Sequence, residues 1–482
     1  MAFVQNTKSA EVRSRLDHPV IDSDGHSLDY RPAFIDHLKA VGGPKLVEGF
    51  AAQFSGTQMD PVWYRLSPQQ RREQRPLRTP WWNIPTKNTL DLSTATIPRL
   101  LRERLDDIGL DFSVIYAGAC LLPIHFDDEG IRGAVCRAVN NLNAEVFAEV
   151  ADRLTPVAII PMHTPQEAIA ELEHAVTQLK LKAVLMPSFV TRPIAAVAHR
   201  NPEAARYATW MDTYGLDSEY DYDPVWAKCM ELKVVPTFHS HGMGWGSRRS
   251  ISSYVYNHIG HFGAAGEAVC KSLFLGGVTR RFPKLKFAFL EGGVGWGRSL
   301  YCDLIGHWEK RNREAVDNYN PIHLDRELFA EMFERYGGEL ARHGKSSEGV
   351  DFMPIGAERE VIDEFEHCAI GRKQDIRDLF VPHFYFGCEA DDPVTASAFD
   401  SKANPFGARL NAIFGSDIGH WDVPDMNDVL AEAHELVDKG IMSGNDFRDF
   451  VFTNPVRMWT ALNPDFFKGT VVEGAVNKLL AG

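Results

Sequence analysis

Cysteine is sparse: the chain carries Cys120, Cys136, Cys229, Cys270, Cys302, Cys368 and Cys388, with no C-x-x-C pair and one necessarily unmatched. That excludes a disulfide framework and is the usage expected of a reducing, cytoplasmic setting. Basic charge is also short, 51 Lys and Arg against 65 Asp and Glu for a formal net charge of −14. Nucleic acid and anionic membranes both recruit a basic footprint, so neither is expected as a partner. No uncharged apolar run approaches the length of a membrane span, and the opening "MAFVQNTKSAEVRSRLDHP" has no apolar core of a secretion signal. The glycine-rich "EGGVGWG" lacks the spacing of a dinucleotide or phosphate loop, and no G-x-S-x-G elbow occurs. A small-molecule partner is what remains.

What is present is a regular alternation. Eight short apolar runs read as buried parallel strands: "PVID" at Pro19, "FSVIYAG" at Phe112, "PVAIIPM" at Pro156, "LKAVLMP" at Leu181, "VVPTFHSH" at Val234, "KFAFLEGG" at Lys286, "HFYFGCE" at His383 and "NAIFGSD" at Asn411. Stretches of helical period lie between them, among them "TPQEAIAELEHAVTQLKLK", where Thr164 is placed to cap and Glu167 to supply the acid of a capping box. Apolar strands alternating with helices predict a parallel sheet covered on both faces, and eight such units predict an α/β fold, a distorted (β/α)8 TIM barrel. Three long segments, about 29–99, 187–223 and 306–378, are expected as helical insertions that form a lid, and no linker or repeat divides residues 1–482.

Polar residues gather where these strands end. In extended chain, residues two apart share a side, so Asp22, Asp24 and His26 are expected to face the barrel axis together, as are His239 and His241. The eighth strand runs into Asp417, followed by His420 and Asp422. A single buried histidine is usually a hydrogen-bonded core residue, and a single aspartate after a strand is usually a helix cap. Imidazoles and carboxylates converging from separate strands are instead the donors a divalent metal requires.

The D-x-D-x-H after the first strand, "FHSH" after the fifth, "RFPKLKFAFLEGGVGW" around the sixth and "IFGSDIGHWD" on the eighth resemble the amidohydrolase superfamily. The likeness is greatest to the amidohydrolase-related branch that includes aminocarboxymuconate semialdehyde and resorcylate-type decarboxylases, and it runs from Val20 to about Phe452. Carried over by position, the resemblance implies a divalent ion (Zn, Mn or Fe) held by Asp24, His26, His239 and Asp417. His241 is an extra candidate, and Asp22 a buried residue that orients a neighbour. Many relatives have a histidine before the Gly-Gly turn of the sixth strand where this chain has Glu291, implying a carboxylate that moves protons, bridges a second ion, or pairs with an arginine at the mouth.

The expected catalytic groups are therefore Glu291, His420 and His241, and the expected activity is metal-dependent hydrolysis or non-oxidative decarboxylation of a small organic molecule. If Glu291 and His241 both join the ligands, a dinuclear Fe or Mn monooxygenase is the alternative. A non-catalytic subunit of a hetero-oligomer is a second alternative, and homo- or hetero-oligomers are expected of such barrels. One of Arg71, Arg72, Arg75, Arg78, Arg248 and Arg249 would hold a substrate carboxylate, although such runs are more often solvated faces. Trp81, Trp82, Trp245 and Trp296 would wall a pocket, and His258 and His261 are read as structural.

Overall fold

Each apolar run forms its strand in the computed structural model, which describes residues 7–53, 62–80, 85–118, 123–319, 323–343 and 364–482. The strands are β1 (Ile21–Ser27), β2 (Phe112–Ala117), β3 (Leu154–Ile159), β4 (Ala183–Met186), β5 (Pro236–Phe238), β6 (Phe287–Phe289), β7 (Phe384–Cys388) and β8 (Asn411–Phe414). They pair in parallel in that order. Closure runs through the segment after β8, where the Asp417 amide donates to the Asp24 carbonyl (2.9 Å) and the His26 amide to the Ile418 carbonyl (2.7 Å). The result is the expected distorted (β/α)8 barrel, with helices outside and the apolar side chains in one continuous core.

The helices follow their sequence signals. Pro98–Ile108 buries Leu101, Leu105 and Ile108 along one stripe and stops at Gly109, whose φ of 84° suits glycine. Thr164 caps the helix Pro165–Glu173 as expected, accepting from the Glu167 amide. The capping box does not form, because the Glu167 carboxylate is taken by buried Arg132 (2.7 and 3.1 Å). A charge-assisted fork to arginine outcompetes a bond back to the cap amide.

Two insertion boundaries differ from expectation. The helix Gly295–Arg311 runs through residue 306, so the third insertion starts later. The second insertion is only partly helical: Val190–Pro193 pairs antiparallel with Thr209–Asp212, and Arg192 bonds Asp212 across the pair at 2.5 Å. Buried and exposed residues alternate along Val190–Pro193 in a strand period, hidden in the sequence because one of the two buried residues is Arg192. The first insertion contributes helices Arg31–Gln53, Val62–Arg65, Pro68–Gln74 and Thr89–Thr96. Arg78 donates to the Ser252 carbonyl (2.7 Å) and Arg249 to the Arg75 carbonyl (3.1 Å), clasping this insertion to the segment after β5.

The irregularity that shapes the barrel mouth is in β1. From Asp22 to Gly25 the strand takes three steps while β2, from Ser113 to Ile115, takes two. A side chain at Gly25 would meet Asp22 Oδ2 at 2.6 Å and Ser113 Oγ at 2.7 Å, so the bulge requires glycine. The Asp22 carboxylate accepts from Ser113 Oγ (2.5 Å), Ser416 Oγ (2.7 Å) and the Ser416 amide (2.9 Å), joining β1 to β2 and to the closing segment. Removing it by Asp22→Ala strands four buried donors, these three and the Asp24 amide (3.1 Å), and is expected to cost about 2–4 kcal/mol, read by urea denaturation; a cost under about 0.5 kcal/mol would remove Asp22 as the fastener.

Candidate metal centre

Asp24 and His26 leave the end of β1, His239 follows β5, Glu291 follows β6, and Asp417 and His420 follow β8, so the closed barrel brings all six to its C-terminal mouth. His26 Nε2 lies 3.1 Å from Asp417 Oδ1 and 3.4 Å from Asp24 Oδ1. His239 Nε2 lies 3.1 Å from Glu291 Oε2 and 3.6 Å from Asp24 Oδ1. His420 Nδ1 lies 2.6 Å from Asp417 Oδ1 and 3.8 Å from Glu291 Oε2, and its ring stacks on His26 with centroids 3.7 Å apart.

These contacts have the right charges but not hydrogen-bond alignment. Asp24 Oδ1, both ring nitrogens of His26 and of His239, Glu291 Oε2 and both Asp417 oxygens are buried without a hydrogen-bond partner. Native interiors rarely leave so many polar atoms unsatisfied in one place. Donors bound about 2.0–2.2 Å from a common ion lie about 3.0–3.5 Å from one another, close to the separations above. The donor set, two imidazoles and up to three carboxylates, fits a divalent ion of Zn, Mn or Fe type.

The electrostatics point the same way. Burial, reinforced by the charges of Asp417, Glu389 and Asp24, raises the Glu291 carboxyl well above its usual range. Burial opposes charge on His26, but Asp24 and Asp417 outweigh it and lift its pKa to about 10. Asp417 resists burial because His420 and His26 hold it below the usual carboxylate range. His239, with burial dominant, falls to about 4 and stays neutral at pH 7, the form in which an imidazole can bind a metal. Carboxylates crowd this mouth beyond what the histidines neutralise, and a dication would supply the missing positive charge.

Backbone strain concentrates here as well. Glu291 (φ 54°) and Asp417 (φ 50°) are both left-handed, a conformation that costs non-glycine residues on the order of 1 kcal/mol or more and persists where surrounding structure enforces it. Gly419 (φ 91°) lets the closing segment pass His26, whose carbonyl a Cβ there would meet at 2.5 Å.

Asp22 lies below this cluster and ties the barrel, as read from the sequence. His241 is not brought among the converging donors: its ring stands 5.7 Å from His125 and 6.4 Å from His261, on the adjoining wall. The bend of the chain after β5 breaks the two-residue parity that linked it to His239. His258 and His261 do more than expected of structural residues, lining a cavity of about 270 Å³ with Glu291, Glu389 and Asp422. Glu389 escaped the sequence reading although it follows β7 directly, the position that marked the others; burial and the charges of Asp417 and Asp422 push it up to about 9. Trp296 packs on Phe289 and Phe386 and Trp245 on Phe189, whereas Trp81 and Trp82 lie outside the described residues. Arg71 bonds the Trp63 carbonyl at 2.9 Å and lies over the Trp63 ring.

A barrel with imidazoles and carboxylates converging at the carboxyl ends of its strands is the arrangement expected of an amidohydrolase, and the amidohydrolase family model matches residues 106–339. The resemblance drawn from the sequence is thereby borne out. Decarboxylase orsB of Emericella nidulans is 27% identical over 175 residues, 33% of this chain, and that match spans only 45% of the relative's length. A dihydroxybenzoic acid decarboxylase from a Polaromonas species, solved with bound manganese and the inhibitor 2-nitroresorcinol, has a similar fold (TM-score 0.53, 15% identity, 94% of this chain and 99% of that one). So does an amidohydrolase from Mycobacterium avium subsp. paratuberculosis (TM-score 0.50, 17% identity, 92% and 100%). Among the described residues no helix is long and apolar enough to cross a membrane.

Metal uptake at neutral pH is expected to displace a proton, because His26, with its pKa lifted to about 10, carries one without an ion and a ligand imidazole must be deprotonated. Calorimetry in buffers of different ionisation enthalpy should register release of at least about one proton per ion, with affinity falling as pH falls; uptake with no proton release would contradict the ligand set.

Proposed function

We propose that residues 1–482 act as one metal-dependent barrel enzyme catalysing non-oxidative decarboxylation of a small organic acid, with hydrolysis as the other reaction open to the same site. The observation that carries this reading is the convergence of unpartnered, buried donor atoms from Asp24, His26, His239, Glu291 and Asp417. The decarboxylase relatives support the choice of reaction.

Asp24, His26, His239 and Asp417 would hold the ion, two neutral nitrogens and two anionic oxygens. An ion bound there supplies Lewis-acid polarisation of a substrate oxygen. When carbon dioxide leaves, the electrons of the broken C–C bond remain on the substrate carbon, which must take up a proton. Glu291, whose carboxyl its buried and anionic surroundings hold well above the usual range, would be the acid, 3.8 Å from His420. The His420 side chain is 22% exposed and so links Glu291 to solvent for reprotonation. A hydrolase would instead need Glu291 ionised as a base, which its surroundings oppose. His241, with an unpartnered Nδ1 on the adjoining wall, would take no part in the proton transfer itself.

A second reading, a dinuclear Fe or Mn oxygenase, has one observation in its favour: His258, Glu291 and Asp422 form another convergent donor group that shares Glu291 with the first. Metal content distinguishes the readings, one ion per chain for the decarboxylase and two redox-active ions for the oxygenase.

Asp417→Asn is expected to lower metal affinity at least 100-fold and abolish turnover. Glu291→Gln should retain the metal and lose about 10²–10⁴ in kcat, the usual worth of a positioned proton donor. Elemental analysis with a carbon dioxide release assay reads both, and an Asp417→Asn enzyme that keeps ion and activity would sink the proposal.

A further inference from the structure

The charged residues lining one hollow at the opposite end of the barrel are mainly cations. A cavity of about 670 Å³ opens there, lined by Lys284, Lys286, Arg377, Asp378, Tyr385 and Arg457 among others. Lys286 immediately precedes β6 and Tyr385 is the second residue of β7, so this cavity lies at the N-terminal ends of the strands whose C-terminal ends carry Glu291 and Glu389. Arg377 and Asp378 neutralise one another at 2.7 Å. Lys284, Lys286 and Arg457 have no ion pair or hydrogen bond among the described residues, which leaves three uncompensated cations on one concave surface of a chain of net charge −14.

Solvated surface lysines are common, but two features separate this group from an ordinary basic patch. Lys286 is half-buried, and burial without a counter-charge pulls its ammonium below its usual range. The buried Tyr385 ring ends in the same cavity, with Arg457 acting on its hydroxyl. Two ammonium groups, a guanidinium and a phenol around one hollow are the donors that bind a compact oxyanion carrying more than one charge, the guanidinium by a bidentate fork and the ammoniums as point charges.

We propose that this cavity is a binding site for the phosphate group of a small molecule, separate from the metal centre and at the other end of the barrel. The ligand draws its affinity from Lys284, Lys286 and Arg457.

The test is isothermal titration of the metal-loaded protein with inorganic phosphate, with acetate as the singly charged carboxylate control. The wild-type protein should bind one phosphate per chain, more weakly as ionic strength rises, and acetate at least tenfold less tightly. Lys284 and Arg457 are exposed, so Lys284→Gln/Arg457→Gln should fold normally, keep its metal content and activity, and lose at least tenfold in phosphate affinity. Lys286→Met, measured separately, should do the same. Phosphate binding that persists in the double variant would place the anion at the metal and overturn the proposal. Equal binding of acetate, or no phosphate binding by the wild type, would overturn it too.

Discussion

Uncompensated negative charge at the mouth of the barrel is the constraint on which the rest depends. Asp24, Glu291, Glu389, Asp417 and Asp422 act on one another across one small mouth, and among the described residues His26 and His420 oppose them at close range. Burying carboxylates in this way is costly unless they are protonated, paired or bound to a cation. Burial and neighbouring charge favour the neutral forms of Glu291 and Glu389, and His26 pairs with Asp24 and Asp417, yet the ring nitrogens of His26 and His239 stay without an aligned hydrogen bond. A dication, as proposed, would remove the conflict for the remaining oxygens and for the imidazole nitrogens together.

The scaffold holds that conflict in place. Asp22 binds the closing segment through Ser416, the β1 bulge at Gly25 makes room for its carboxylate, and Asp417 and Gly419 take left-handed backbone so that the segment bonds back to Asp24 and His26. Barrel closure and assembly of the site are thus one event: the residues that bond β8 to β1 alternate with those that present donors. Rigid placement of this kind keeps a metal site selective and its water-excluding geometry constant.

Much of this was legible in the sequence because strand ends announce themselves. Apolar β-branched runs located all eight strands, and two-residue parity with the family resemblance singled out Asp24, His26, His239 and Asp417. Glu389 was missed although it follows a strand just as they do and has Asp391 two residues on, because the family resemblance carries no ligand to that position. His241 has such a partner, but the chain turns immediately after β5, and parity holds only while backbone stays extended. The side-chain competition that took Glu167 from its cap depends on Arg132, far along the chain, and the short strand pair in the second insertion depends on Arg192 meeting Asp212. Neither partnership has a local signature.

The central claim is that one set of unpartnered donors shares a divalent ion. A crystal structure of the metal-loaded protein, with anomalous data at the Mn, Fe and Zn edges, tests it most directly. The account predicts an anomalous peak about 2.0–2.3 Å from His26, His239, Asp24 and Asp417. Histidines and carboxylates hydrogen-bonded to one another or to water, with no peak among them, would contradict it.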